Sequence, residues 1–166
     1  MEGDIKDSLL TVCRLLKKHN VKYMLVGGTA VALFGYYRHS INISGEITDK
    51  PDIDIWYNPT YENYFSILKV MNDLGQNTTE FVNEESPNPH KAFFKLDFDS
   101  YTLDILPIIK ADLKFSEADQ RKETVELEGV PIHFMGFEDL ICDKNATARE
   151  KDLKDIEQLK KLRGEE

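Results

Sequence analysis

The sequence predicts an α+β fold: a mixed, twisted sheet flanked by helices, with a helical pair at its C-terminal end. Three observations point there. Apolar residues recur at helical spacing in some segments and alternate in others, and the two kinds are interleaved. Two pairs of strands are separated only by the short polar turns Asp99-Ser100 and Glu128-Gly129, as hairpins require. The 166 residues are 41% hydrophobic, enough for one core rather than several. Residues 1–136 read as that core, and 137–166 as a helical extension packed on it within one compact domain.

The elements follow in order. Residues 4–19 predict a helix with Ile5, Leu9, Val12, Cys13 and Leu16 on one face, ended by His19-Asn20. Lys22–Val26 reads as a buried strand. Gly27-Gly28 breaks it, and Thr29 can cap a helix running to about Tyr37. Residues 38–50 read as a loop. The Ile-rich run around Asp52-Ile53-Asp54-Ile55 predicts the next strand, closed by Asn58-Pro59. Thr60 caps a third helix with Phe65, Leu68, Val70, Met71 and Leu74 as its apolar positions, ending near Gly75. Residues 83–89, with two prolines, read as a surface loop. Lys91–Phe98 and Tyr101–Leu106 form the first hairpin; 124–126 and 130–134 form the second. Phe137–Thr147 and Glu150–Arg163 are the last helices, the final one with a stripe of Leu153, Ile156, Leu159 and Leu162.

Composition narrows the function. A formal net charge of −9 argues against broad contact with a nucleic-acid backbone, which is bought with Lys and Arg. No apolar run is long enough for a bilayer, and the acidic N-terminus has no signal core, so the expected location is cytoplasmic. Cys13 and Cys142 read as reduced core residues. The four histidines (His19, His39, His90, His133) show no metal-ligand spacing, and Trp56 reads as packing.

Chemistry concentrates at one place. Strand alternation sends Asp52 and Asp54 to one face and Ile53 and Ile55 to the other. Two carboxylates so spaced suit a hard cation, and hard cations hold phosphates. The Gly27-Gly28-Thr29 turn offers backbone N–H groups to phosphate oxygens. A third acid is then expected on a neighbouring strand, and Asp104 is a lone charge in the apolar run Leu103-Asp104-Ile105, where burial is costly without a partner or metal. Each feature has a plainer reading as well: a solvated strand edge for Asp52 and Asp54, a tight turn for the glycines, a basic partner for Asp104. Arg38 fits either a nucleotide contact or a helix-end charge. Lys144 and Lys151 fit either phosphate ligands or a charged helix face; Glu150–Lys154 has the i,i+4 spacing of a surface pair. Asp152 and Asp155 read as partners of basic neighbours.

In this order and spacing, Val26-Gly27-Gly28-Thr29, Asp52-Ile53-Asp54 and Leu103-Asp104-Ile105 resemble the nucleotidyltransferase superfamily typified by DNA polymerase β. More narrowly, Gly27-Gly28-Thr29-Ala30-Val31, Gly35-Tyr36-Tyr37-Arg38, Thr48, Lys144 and Arg149-Glu150-Lys151-Asp152-Leu153-Lys154-Asp155 resemble small bacterial stand-alone members related to abortive-infection, type IV toxin-like nucleotidyltransferases. The resemblance spans about residues 20–160. It implies a nucleotidyltransferase fold and transfer of a nucleoside monophosphate from an NTP such as ATP to an acceptor hydroxyl, with release of pyrophosphate. It implies two Mg²⁺ ions, or Mn²⁺, on Asp52, Asp54 and Asp104. It assigns the nucleotide to Gly27, Gly28, Thr29, Arg38, Lys144 and Lys151. The acceptor stays open among a small molecule, a protein hydroxyl and an RNA end, and a cognate antitoxin or partner protein is a further implication. Two departures stand out. Gly28 replaces the serine of many members, removing a phosphate-binding hydroxyl that Thr29 could supply. The segment between Arg38 and Asp52 is lengthened by Ile43-Ser44-Gly45-Glu46. A catalytically inactive module of the same fold, binding a nucleotide or a protein, is the alternative.

Overall fold

A computed structural model describes residues 3–34 and 50–164. Helix α1 (Gly3–Lys18) buries Leu9, Val12, Cys13 and Leu16. Asn20, in the left-handed region at φ 54, reverses the chain into β1 (Tyr23–Val26), which is buried along its whole length. Helix α2 starts at once and is described over 27–34. Thr29 therefore sits inside its first turn rather than capping it. The loop residues Arg38, Thr48 and 43–46 lie outside the described residues.

Strand β2 (Asp52–Tyr57) leads to α3 (Tyr61–Asp73), where the Thr60 side chain accepts from the Asn63 N–H as the capping pattern predicts. Asn63 in turn bridges the Lys22 and Asn58 backbones. A short α4 (Thr79–Val82) and one 3₁₀ turn (Pro89–Lys91) precede β3 (Phe94–Asp97) and β4 (Thr102–Leu106). Then follow α5 (Phe115–Gln120), β5 (Glu123–Leu127), β6 (Val130–Phe134), α6 (Phe137–Thr147) and α7 (Glu150–Leu162).

Six strands form one sheet in the order β3-β4-β2-β1-β6-β5. β2 runs parallel to β4, and β1 parallel to β6; the other neighbours are antiparallel. Both expected hairpins are present as β3–β4 and β5–β6. The fold is thus mixed α/β, as the sequence predicts. Among the described residues no helix is long and apolar enough to cross a membrane.

Several details differ from expectation. The first hairpin's leading strand starts at Phe94 instead of Lys91, because Pro89 seeds the 3₁₀ turn and removes an N–H donor there. Helices α4 and α5 lie where no element was expected; α5 is only long enough to bury Phe115 and Ala118, too short for a period to show. Phe65 is exposed while Tyr64 and Ile67 carry the buried face of α3. Leu153 is likewise exposed, and α7 turns Asp152, Ile156 and Leu159 inward instead. Of the two free cysteines only Cys13 is in the core. Cys142 is exposed, since α6 directs Asp139, Leu140 and Lys144 inward.

Candidate active site

The sheet register assembles the acids. Val26 on β1 stands opposite Asp54 on β2, and Asp54 stands opposite Asp104 on β4. Lys95 on β3 completes the row across from Asp104. Neighbouring strands lie about 4.8 Å apart, so Asp54 and Asp104 project side by side from one face. Ile53 and Ile55 on β2, with Leu103 and Ile105 on β4, fill the opposite face. Along β2 the acid face deepens: Asp52 is exposed, Asp54 is partly buried, and Trp56 is fully buried. The Trp56 indole N–H donates to the Pro107 carbonyl at 3.2 Å, and its ring meets the edge of Phe115.

Each acid has a distinct environment. Asp52 accepts from the Thr102 hydroxyl across the strand pair, and its carbonyl accepts from the Thr29 hydroxyl at 2.8 Å. Thr29 is buried, so its hydroxyl proton ties α2 to β2. Burial, and then the charges of Asp104 and Asp52, push the Asp54 carboxyl up to about 6, against the pull of Lys144 and Lys151. Asp104 Oδ1 is buried without a hydrogen-bond partner among the described residues. A buried oxygen of that kind points to a ligand that would supply its partner.

Gly27 is shaped to this cluster. It has φ 63, and a Cβ placed on it would lie 2.6 Å from Asp54 Oδ2. The Asp54 carboxylate thus rests against the bare Cα at the start of α2. Gly28 is exposed, and a Cβ there would meet nothing within 4 Å. Its glycine is not required by space or by a positive φ.

The second half of the site comes from the corner between α6 and α7. Ala148, at φ 48, ends α6. Buried Asp152 accepts from Arg149 Nε at 2.7 Å and Nη2 at 3.1 Å, and from the Arg149 backbone N–H. Arg149 above all, then Thr147 and Lys144, hold the Asp152 carboxyl far below the usual carboxylate range despite its burial. Lys144, itself buried, pairs with Asp152 at 3.2 Å and Asp155 at 2.9 Å. Lys151 is exposed on α7, near enough to Asp54 to lower its pKa. Glu150 and Lys154 pair at 3.7 Å on the solvent face, as their spacing predicts.

A cleft of about 940 Å³ joins the two halves, with Gly27, Asp54, Lys144 and Arg149 at one end. Its far end is walled by His90, Lys91, Phe93 and residues 106–110. The sequence reading passed over that wall. Asp52, Asp54, Asp104, Gly27, Gly28, Thr29, Lys144 and Lys151 are thus gathered around β1, β2, β4 and the α6–α7 corner. Arg38 is outside the described residues.

The donor set fits a hard divalent cation: carboxylate oxygens only, one of them an unpartnered buried Oδ1. Among the described residues no three His, Cys, Asp or Glu side chains are yet arranged to hold a metal ion.

No protein-family model and no curated protein sequence matches the chain. Solved structures do match. The lincosamide antibiotic adenylyltransferase LnuA, in its lincomycin-bound crystal structure, aligns over 98% of this chain and 98% of its own, at 17% identity and a TM-score of 0.59. The chain has a nucleotidyltransferase fold. The antibiotic-resistance factor ANT(2'')-Ia aligns with it over 96% of this chain and 85% of its own, at 18% identity and a TM-score of 0.59. An antigenic nucleotidyltransferase-like protein from Paracoccidioides brasiliensis shares the nucleotidyltransferase fold over 97% of this chain and 77% of its own, at 12% identity and a TM-score of 0.55.

Proposed function

We propose that this chain is a metal-dependent nucleotidyltransferase that moves a nucleoside monophosphate from an NTP to an acceptor hydroxyl and releases pyrophosphate. One observation carries the reading: Asp54 and Asp104 stand side by side on parallel strands, with Asp104 Oδ1 buried and unpartnered among the described residues and Gly27 bared against Asp54. Asp52, Asp54 and Asp104 would hold Mg²⁺ or Mn²⁺. Bound there, the metal would neutralise charge on the phosphates and make the acceptor hydroxyl more acidic.

The chain's own groups supply the rest. The N–H groups opening α2 at Gly27 and Gly28 face phosphate oxygens. Lys144, Arg149 and Lys151 hold the triphosphate, with Asp152 fixing the first two. Asp104 takes the proton of the acceptor hydroxyl. That oxygen bonds to the α-phosphorus, the bond to the β-phosphate oxygen breaks, and pyrophosphate leaves with the electron pair. Arg38 is an additional nucleotide ligand in this reading. The narrower, toxin-like form, with a cognate antitoxin, is supported by sequence motifs alone: Gly27–Val31, Gly35–Arg38, Thr48, Lys144 and Arg149–Asp155. Cytoplasmic NTP pools would supply the donor.

A specific observation favours the alternative of an inactive module. Gly28 has no hydroxyl, and the Thr29 hydroxyl is donated to Asp52 instead of a phosphate. One experiment separates the two: melting of wild type, Asp54→Asn and Asp104→Asn with each NTP, with and without Mg²⁺, followed by an assay for pyrophosphate. A native-state ligand raises the melting temperature by mass action. A Mg²⁺-dependent shift in wild type, lost in Asp54→Asn, with pyrophosphate release lost in Asp104→Asn, supports the enzyme. A shift without pyrophosphate release under any acceptor supports the module. No shift with any nucleotide rejects the enzyme and leaves an inactive module of the protein-binding kind.

A further inference from the structure

The far end of the cleft has a chemistry of its own. Phe93 is 51% exposed and Ile108 66%, yet both line the same recess with Leu106, Pro107 and Ile109. Exposed apolar side chains gathered into a concave wall, rather than scattered, mark a ligand surface. Two cations rim it. Lys91 and Lys110 line the recess, and neither has an ion pair among the described residues. The nearest acid on this rim, Asp143, accepts from the backbone N–H groups of Lys110 and Ala111 at 3.0 and 3.1 Å. In a chain of net charge −9, an apolar wall edged by two unpaired lysines is a local inversion of charge.

The recess also lies on the side of Asp104. Leu106 shares the face of Asp104 two residues further along β4, and Phe93 immediately precedes β3, whose Lys95 pairs in register with Asp104. The wall is therefore built on β4, which carries the proposed proton acceptor, and on the start of its neighbour β3. The cleft's volume of about 940 Å³ lies within the range of about 300–1,000 Å³ for small-molecule pockets.

We propose that this recess is the acceptor subsite, and that the acceptor is an anionic hydroxyl compound with a flat apolar body. The apolar body lies on Phe93 and Ile108. The negative group is held by Lys91 and Lys110, which also offset its repulsion from the triphosphate. The hydroxyl points to Asp104. A polycationic amino sugar is the wrong partner for this rim. The inference rests on the nucleotidyltransferase reading above.

The test uses 8-anilinonaphthalene-1-sulfonate, an aromatic anion, titrated by fluorescence into the full chain. Variants are Phe93→Ala and the double reversal Lys91→Glu/Lys110→Glu, all at exposed side chains, with folding checked by circular dichroism. The expected result is saturable binding in wild type, weakened at least five-fold in each variant, unaffected by the amino sugar kanamycin and retained with Mg²⁺–ATP present. The Mg²⁺–ATP melting shift is kept in both variants. Binding unchanged by the variants, displacement by kanamycin, or displacement by Mg²⁺–ATP would each overturn the assignment; the last would give the recess to the nucleotide base. A wild type that binds the probe but shows no nucleotide shift fails the enzyme reading instead, so the two failures are distinct.

Discussion

Asp54→Asn should make the metal-free protein more stable at neutral pH. The folded chain holds the Asp54 proton up to about pH 6, whereas an unfolded aspartate releases it near 3.9. Two units correspond to about 3 kcal/mol. Partial exposure reduces this to about 1–3 kcal/mol. The sign follows from proton counts. Between pH 4 and 6 the native state binds more protons than the unfolded state, so stability falls as pH rises through that window. Below pH 4 both states are protonated and the cost vanishes; above pH 6 it is complete. Asparagine keeps the shape and does not titrate. Urea unfolding at pH 4.0, 5.0 and 7.5 in EDTA should show the two proteins converging at the low end. At pH 7.5 the variant should melt higher by roughly 2–4 °C for each kcal/mol. Added Mg²⁺ should raise wild type and leave the variant unmoved, closing the gap. A variant no more stable than wild type at pH 7.5 in EDTA, or a gap independent of pH, would refute the reasoning.

Gly27→Ala should cost at least about 1–2 kcal/mol from its positive φ alone and should abolish the Mg²⁺–NTP shift by displacing Asp54; an active, stable variant would contradict the close approach. Gly28→Ser, in open space, should change stability by no more than about 0.5 kcal/mol and tighten NTP binding several-fold; weaker binding would show that the hydroxyl has no phosphate to meet. Asp152→Ala takes from buried Lys144 one of its two carboxylate partners, leaving Asp155, and releases the exposed Arg149; it should cost about 1–3 kcal/mol in denaturant unfolding. A cost under 1 kcal/mol would mean that the α6–α7 corner is held by other contacts. Thr29→Val should lose about 1 kcal/mol with the bond to Asp52 while retaining the nucleotide shift, and loss of that shift would return the hydroxyl to the phosphates.

How much of this was legible in sequence depended on whether the signal was local. The acids were legible because alternation along β2 fixes a face with no knowledge of the rest of the chain. Both hairpins were legible because their turns are short. The pairing of Asp54 with Asp104 required knowing that β2 and β4 are parallel neighbours in register, which the 49 residues between the two aspartates conceal. Asp152 was read correctly as a partner of basic neighbours, but its burial was not legible. A hydrophobic stripe was drawn through Leu153, because a carboxylate reads as solvent-facing until Arg149 and Lys144 are seen to neutralise it. The recess wall at Phe93 and Ile108 is assembled from a pre-strand residue and a post-strand loop, and no periodicity spans such a join.

The chain's single tryptophan has a place that makes it useful. Trp56 is two residues from Asp54, on the same face, and its indole N–H reaches the carbonyl of Pro107 in the cleft wall. Its emission is therefore a built-in optical gauge at the junction of the acid cluster and the apolar recess. Filling the phosphate end would change the electric field along the ring, and filling the recess would shift the Pro107 carbonyl. The unlabelled protein can thus report which half of its cleft is occupied.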